Sequence, residues 1–306
     1  MARYVISRVI QAIIVIWIVT TFVFLLVRLT PGNAAQVFAG PSATQEQIDL
    51  LHKELGLDDP IGKQYVEYMS RVVRGDFRDS LAQREPALPL VLHRFPATLK
   101  LAALAFLISV GFGGLLGVLS ALYPGSPIDH FGRFFAVLGQ SMPTFWIAIL
   151  AILIFSVKLR WLPVAGTGDW KHYILPASTL GWFSMAAMVR LTRSAMLDVM
   201  ESDSVKFLRI KGLSERKIVL KHALRNAAIP LLTLASLQFV AFLSGSVVVE
   251  QIFNWPGSGK LLVESVRGRD YTVVQAGTFF ISFVIVTVNL LVDLTYGYID
   301  PRIRHS

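Results

Sequence analysis

The sequence predicts an all-α, polytopic membrane protein with six transmembrane helices, and three observations carry that prediction. Hydrophobic residues make up 54% of the 306 residues and charged residues only 16%. Mean hydropathy is +0.58, outside the balance of a soluble globular domain. Six runs free of Asp, Glu, Lys and Arg approach the roughly 20 residues a helix needs to cross the hydrocarbon. A backbone in lipid must satisfy its own hydrogen bonds, so these runs read as helices rather than open strands.

The first run, Val9 to Val27, follows Arg3 and Arg8. It exceeds a usual signal-peptide core and no small-residue cleavage site follows at once, so it reads as a retained anchor. The others are Leu101 to Tyr123, Phe134 to Val157, Tyr173 to Val189, Asn226 to Val249, and Tyr271 to Val292 ahead of Asp293. Gly113 and Gly117, with Gly111 and Gly114 nearby, give the second run a small surface for close helix approach. Pro143 removes a backbone donor inside the third run and predicts a kink.

Net charge is +9, and in a membrane protein such an excess marks cytoplasmic flanks. Residues 28 to 100 form a loop too long to obey that rule. With it set aside, an inside N-terminus gives the inner segments more than twice the Lys and Arg of the short outer loops, which hold only Lys158, Arg160, Lys171, Lys260, Arg267 and Arg269. Both termini are expected on the cytoplasmic side. The long outer loop predicts two short helices. The first is opened by a Thr44/Gln47 capping box, carries Ile48, Leu51 and Leu55 on one face, and stops at Gly56. The second has Asp59 as N-cap, Pro60 at the first helical position and Gly75 past its end. Packing on the mouth of the bundle is the expected role of their apolar faces, ahead of docking a delivery protein.

Several chemistries are disfavoured. There is no Cys, hence no disulfide framework, thiolate metal site or Cys nucleophile. No HExxH or GxSxG motif is present. "GSGKLL" at 257 to 262 fails as a phosphate loop in spacing and in Leu261, which stands where Ser or Thr is needed. An ion-coupled carrier places ionisable groups near the midplane, whereas here Asp293 is the only acid read as lying well inside a span, close to its end. Gln140, Ser141, Gln238 and Ser244 serve equally as a polar path or as interhelical glue.

The stretch from Arg190 to Arg225 interrupts the apolar runs with an amphipathic, basic segment. Val205, Leu208, Ile218, Leu220 and Leu224 fall at roughly helical spacing, and Gly212 and Ser214 break the run into helix, turn, helix. Attraction to anionic lipid is the bland reading. Tethering to spans on both sides argues against nucleic acid.

Lys211, Gly212, Leu213 and Ser214, then "HALRN" at 222 to 226, Ile229 and Pro230, resemble the cytoplasmic signature of ABC importer permeases of the dipeptide, oligopeptide, nickel and glutathione family. "LGLDDPIGKQY", "RFPATLKLA", "HYILPASTLG", "VRLTRSAML", "EQIFNWPGSGKLL" and "GRDYTVVQAG" are similar as well, so the resemblance covers the whole chain. Phe207 and Leu208 stand where the family has small residues, Ser204 replaces an aromatic, and Asn33 replaces an Asp.

The resemblance implies a type I ABC importer permease fold in the inner membrane. Residues 1–28 would hold the cytoplasmic N-terminus and first span, 29–97 an extracytoplasmic loop, 98–299 the permease core with a cytoplasmic coupling loop at 194–225, and 300–306 a cytoplasmic tail. It implies that Phe207, Leu208, Lys211, Gly212, Leu213, Ser214, Glu215 and His222 meet an ATPase through a helix-in-groove contact. Expected partners are a homologous permease, two ATPase subunits or domains, an extracytoplasmic substrate-binding protein and membrane lipid. ATP and Mg would sit on the ATPases, this chain having no cofactor or catalytic residue of its own. The implied function is ATP-driven peptide import; the alternatives are a stand-alone carrier or channel for a small polar solute, or a membrane scaffold.

Overall fold

The computed structural model describes residues 2–29, 44–46, 49–50 and 58–299. The predicted first loop helix, with Gln47, Ile48, Leu51, Leu55 and Gly56, lies largely outside them, as do Asn33 and the 300–306 tail. Among the described residues the structure is helical, with one isolated antiparallel bridge between Asp79 and Pro86. The chain forms two compact units, residues 1–96 with 257–306, and residues 97–256.

The first unit contains α1 (Ala2–Leu29), α2 (Ile61–Val73), the start of α3 (Ala87–Leu122), α10 (Ser258–Arg267) and α11 (Tyr271–Ile299). Its core gathers Phe24, Tyr68, Val72, Phe77, Val91, Leu261 and Val273. Phe24 of α1 stacks on Tyr68 with ring centroids 5.2 Å apart and meets Tyr65 edge-on at 5.4 Å. The Thr21 and Tyr65 hydroxyls bond at 2.8 Å. Aromatic pairs of this kind add to the burial itself, and they fix α2 to the end of α1. The buried Asp270 opens α11 and accepts a hydrogen bond from Ser80 at 2.6 Å and another from the Thr272 hydroxyl at 2.8 Å. Asp293 pairs with Arg8 at 3.3 Å, which assigns it a partner on α1 rather than a lone place in lipid. The start of α2 differs by one residue from expectation. Pro60 occupies the cap position, where its carbonyl accepts from the Lys63 and Gln64 amides, and Asp59 instead binds the Lys63 amine at 3.0 Å.

The second unit holds the rest of α3, α4 (Pro127–Ser141), α5 (Thr144–Ala151) with its π-helical continuation Ile152–Lys158, α6 (Lys171–Met200), α7 (Asp203–Ile210), α8 (Glu215–Lys217), the π-helical stretch Ile218–Ala223 and α9 (Leu224–Ile252). Among the described residues five helices are long and apolar enough to span a membrane, six spans if the bent pair α4 and α5 counts as one. That pair bends by 111°, a break far sharper than the kink predicted within one continuous third span. Met142 leaves the helix at φ −99°, ψ 128°, and Pro143 follows at ψ 141°. A proline excludes helical geometry from the residue before it and offers no amide of its own, so the helix stops and restarts.

The small residues of α3 act as expected at two positions. A Cβ on Gly113 would lie 2.7 Å from the Met185 carbonyl oxygen, and one on Gly117 would lie 2.8 Å from that of Val189. α6 therefore packs against bare backbone there. Gly111 and Gly114 face open space and take no part. Gln238 donates to the Ser184 carbonyl oxygen at 3.3 Å, which joins α9 to α6 as interhelical glue.

Candidate functional site

The segment after α6 is built from local rules. Ser202 caps α7, its hydroxyl accepting from the Val205 amide at 3.4 Å, as N-cap serines do. At the other end the Leu213 amide donates to the Leu208 carbonyl at 3.2 Å and the Gly212 amide to that of Arg209 at 2.9 Å. This double bond pattern is the Schellman closure, which needs a left-handed residue just past the helix. Gly212 supplies it with φ +77°. No atom would lie within 4 Å of a Cβ there, so backbone conformation alone demands the glycine. Ser214 then opens α8, its carbonyl accepting from Lys217 at 2.9 Å, and the chain winds through the π-helical stretch into α9.

Apolar residues of the segment divide into two sets. Val205, Ile218, Val219 and Ala223 are buried, and the last two pack with Ala121 of α3 and Met196 of α6. Phe207 is 55% exposed and Ile210 83% exposed. The rear of the segment is thus seated on the bundle while Phe207 and Ile210 at its tip stay exposed.

Of the predicted site residues, Phe207, Leu208, Lys211, Gly212, Leu213, Ser214 and Glu215 all fall on this helix and turn. Lys211 places its ammonium 4.5 Å from the Phe207 ring centre, a cation–π contact. Leu208 and Leu213 are half-buried, Ser214 is exposed, and His222 lies farther on, half-buried in the π-helical stretch. Leu220, read as part of the apolar stripe, is instead exposed, because it lies off the face that carries the buried Ile218, Val219 and Ala223. The sequence reading missed Arg209, which grips Glu215 across the turn at 2.7 and 3.3 Å. Its guanidinium holds the Glu215 carboxyl below the ordinary value, and the carboxylate in turn raises Arg209. A basic residue six positions before an acid, with glycine between, was the available signal.

Two further acids were overlooked. Glu250, at the end of α9, has no exposed surface and accepts from Thr98 at 2.8 Å; it directly follows the predicted fifth span and falls in the last turn of the apolar helix Pro230–Ile252. Asp129 of α4 is 1% exposed and is bound by Arg193 of α6 at 2.6 and 3.0 Å.

The 257–262 string forms the first turn of α10, with Ser258, Gly259 and Leu261 buried in packing rather than curled around an anion. Among the described residues no cluster of three or more His, Cys, Asp or Glu is placed to hold a metal ion. What the geometry around Gly212 offers is a rigid, apolar-tipped turn suited to docking.

Two family models match the chain. The N-terminal model of the binding-protein-dependent transport system membrane component matches residues 1–102, and the model of the binding-protein-dependent transport system inner membrane component matches residues 113–305. The chain belongs to this permease family.

The permease is 43% identical over 306 residues, all of both chains, to the glutathione transport system permease protein GsiC of Escherichia coli strain K12. It is 43% identical over the same full length to GsiC of Salmonella paratyphi A. A solved structure of the MetNI methionine ABC transporter in inward-facing conformation matches 67% of this chain and 92% of that one at TM-score 0.53 and 17% identity, which shows the shared fold. The protein is a multi-pass transport component of the inner membrane with the ABC transporter permease fold, and the turn at Gly212 lies within the longer family match.

Proposed function

We propose that this permease forms one half of an ATP-driven import path for small peptides of the glutathione class. A homologous permease supplies the other half and an extracytoplasmic binding protein delivers the substrate. Two ATPase subunits or domains hold ATP and Mg, whose binding and hydrolysis supply the energy of closure. On this reading both termini, the 194–225 segment and the 300–306 tail face the cytoplasm, and 29–97 lies outside.

The observation that carries the reading is the turn around Gly212. Its buried residues Val219 and Ala223 fasten it to the bundle, and its exposed Phe207 and Ile210 offer a partner groove something to grip. Movement of a gripped ATPase then reaches α6 and α9 directly, because α7 follows α6 and the π-helical stretch leads into α9. The ATPases drive a change only if they bind one permease state better than another, and a rigid, seated turn transmits that preference where a floppy loop absorbs it. The full-length identity to two glutathione permeases supports the substrate class.

The test is uptake by the purified complex in proteoliposomes. ATP-dependent accumulation of labelled glutathione, outcompeting a dipeptide, is expected. Uptake that persists without any ATPase overturns the import reading in favour of a stand-alone carrier. Dipeptide uptake with no glutathione uptake overturns only the substrate class. The cysteine-free sequence gives a clean test of sidedness, since a Ser214→Cys variant should react with a membrane-impermeant maleimide in inverted vesicles and not in intact cells.

A further inference from the structure

We propose that the cleft between α4 and α6 binds the headgroup of an anionic phospholipid. The cleft has a volume of about 400 Å³, and three guanidinium side chains line it, those of Arg133, Arg190 and Arg193. One carboxylate answers them. Asp129 takes two bonds from Arg193 and one from the Gly125 amide at 2.9 Å, and Arg133 stands 3.6 Å away. Arg190 makes no ion pair among the described residues and is exposed. The cleft therefore keeps two positive charges in excess.

The ion pair also fixes geometry. Arg193 uses its Nε and one Nη on Asp129, and a guanidinium has five N–H donors, so the remaining ones are held in place for a second anion. Planar guanidinium forks suit phosphate oxygens.

The surroundings select a lipid over a soluble anion. The cleft lies between two helices that belong to membrane-spanning elements. Val137, four residues along α4 from Arg133, lines it and is 69% exposed, with Phe134 alongside at 63%. Guanidinium groups at one end and an uncovered apolar strip along the same helix match a phosphate with an acyl chain attached. Basic pockets between spanning helices take anionic headgroups in this way, with each nearby charge adding about fivefold in affinity.

Native mass spectrometry of the full-length chain in its transport complex tests the assignment with dioleoyl phosphatidylglycerol and dioleoyl phosphatidylcholine as probes. Retention of phosphatidylglycerol should exceed that of phosphatidylcholine by about 25-fold, about fivefold for each of the two excess charges. The double change Arg133→Gln with Arg190→Gln, which keeps the Arg193–Asp129 pair, should abolish that preference, whereas Arg190→Lys alone should largely keep it. Equal retention of the two lipids, or an undiminished preference in the double variant, overturns the proposal. Displacement of phosphatidylglycerol by inorganic phosphate identifies a soluble-anion site and overturns it also. A measurement on the unmutated chain guards against misfolding: photoactivatable phosphatidylglycerol should label α4 near Val137, and labelling confined to other helices refutes the site.

Discussion

Helices α2 and α7 are both short and amphipathic, but α2 turns its aromatic face inward and α7 leaves its tip bare. Tyr65 and Tyr68 of α2 meet Phe24, and Tyr68 and Val72 are buried. Burial of such side chains contributes roughly 2 kcal/mol each, which makes α2 a fastening of the C-terminal half of α1, although Val66 and Val73 remain on its uncovered side. In α7 only Val205 is buried, and Phe207 and Ile210 stand clear. Amphipathic pattern alone therefore does not separate a helix whose apolar face is packed from one whose apolar face is left bare. What separates them is whether the surrounding bundle offers a surface for the apolar face.

The change with the largest expected effect strikes the docking turn. Gly212→Pro replaces a φ of +77° with a residue fixed near −65° and deletes the amide bonded to Arg209. ATP-driven uptake in proteoliposomes should disappear while the chain still fractionates with the membrane. Next comes Tyr68→Ala, which should cost about 3 kcal/mol of stability by cavity formation, read as a lower thermal unfolding transition with ATPase co-purification unchanged. If that change released the ATPases and left stability intact, the roles given to the two helices would be reversed.

Ile210→Asp should do the opposite of Tyr68→Ala. Unfolding should stay within about 0.5 kcal/mol of the parent, as for exposed positions generally, and co-purification of the ATPases should fall roughly tenfold, as expected for an apolar anchor in a groove.

The smallest effect concerns the clasp between Arg209 and Glu215. Because the folded-state value of Glu215 is lowered by Arg209, the clasp is complete above the ordinary glutamate value and its support is lost as pH falls through the lowered one. Hydrogen exchange at the Gly212 and Leu213 amides, corrected for its intrinsic pH dependence, should speed up as pH is lowered through that acid range. Glu215→Gln should abolish the change.

Much of the fold was legible because lipid imposes a simple rule. Length and freedom from charge placed every span, and each predicted run falls in a helix or in the bent pair α4 and α5. The turn at Gly212 was legible for a similar reason: a glycine after a basic amphipathic stretch is a local signal, and the Schellman closure there is a local structure. The sharp break at Pro143 was only half legible, since proline announces an interruption but neighbouring packing sets its angle.

The sequence by itself determined the membrane class, the positions of the spans and the turn at Gly212, because hydropathy and backbone conformation act within a few residues of chain. The tertiary structure alone decided that Phe207 and Ile210 stay uncovered, that Arg193 reaches Asp129 from 64 positions away, and that Glu250 finds Thr98 across 152. Such pairs depend on which helices lie side by side, and no periodicity in a single helix encodes its neighbour.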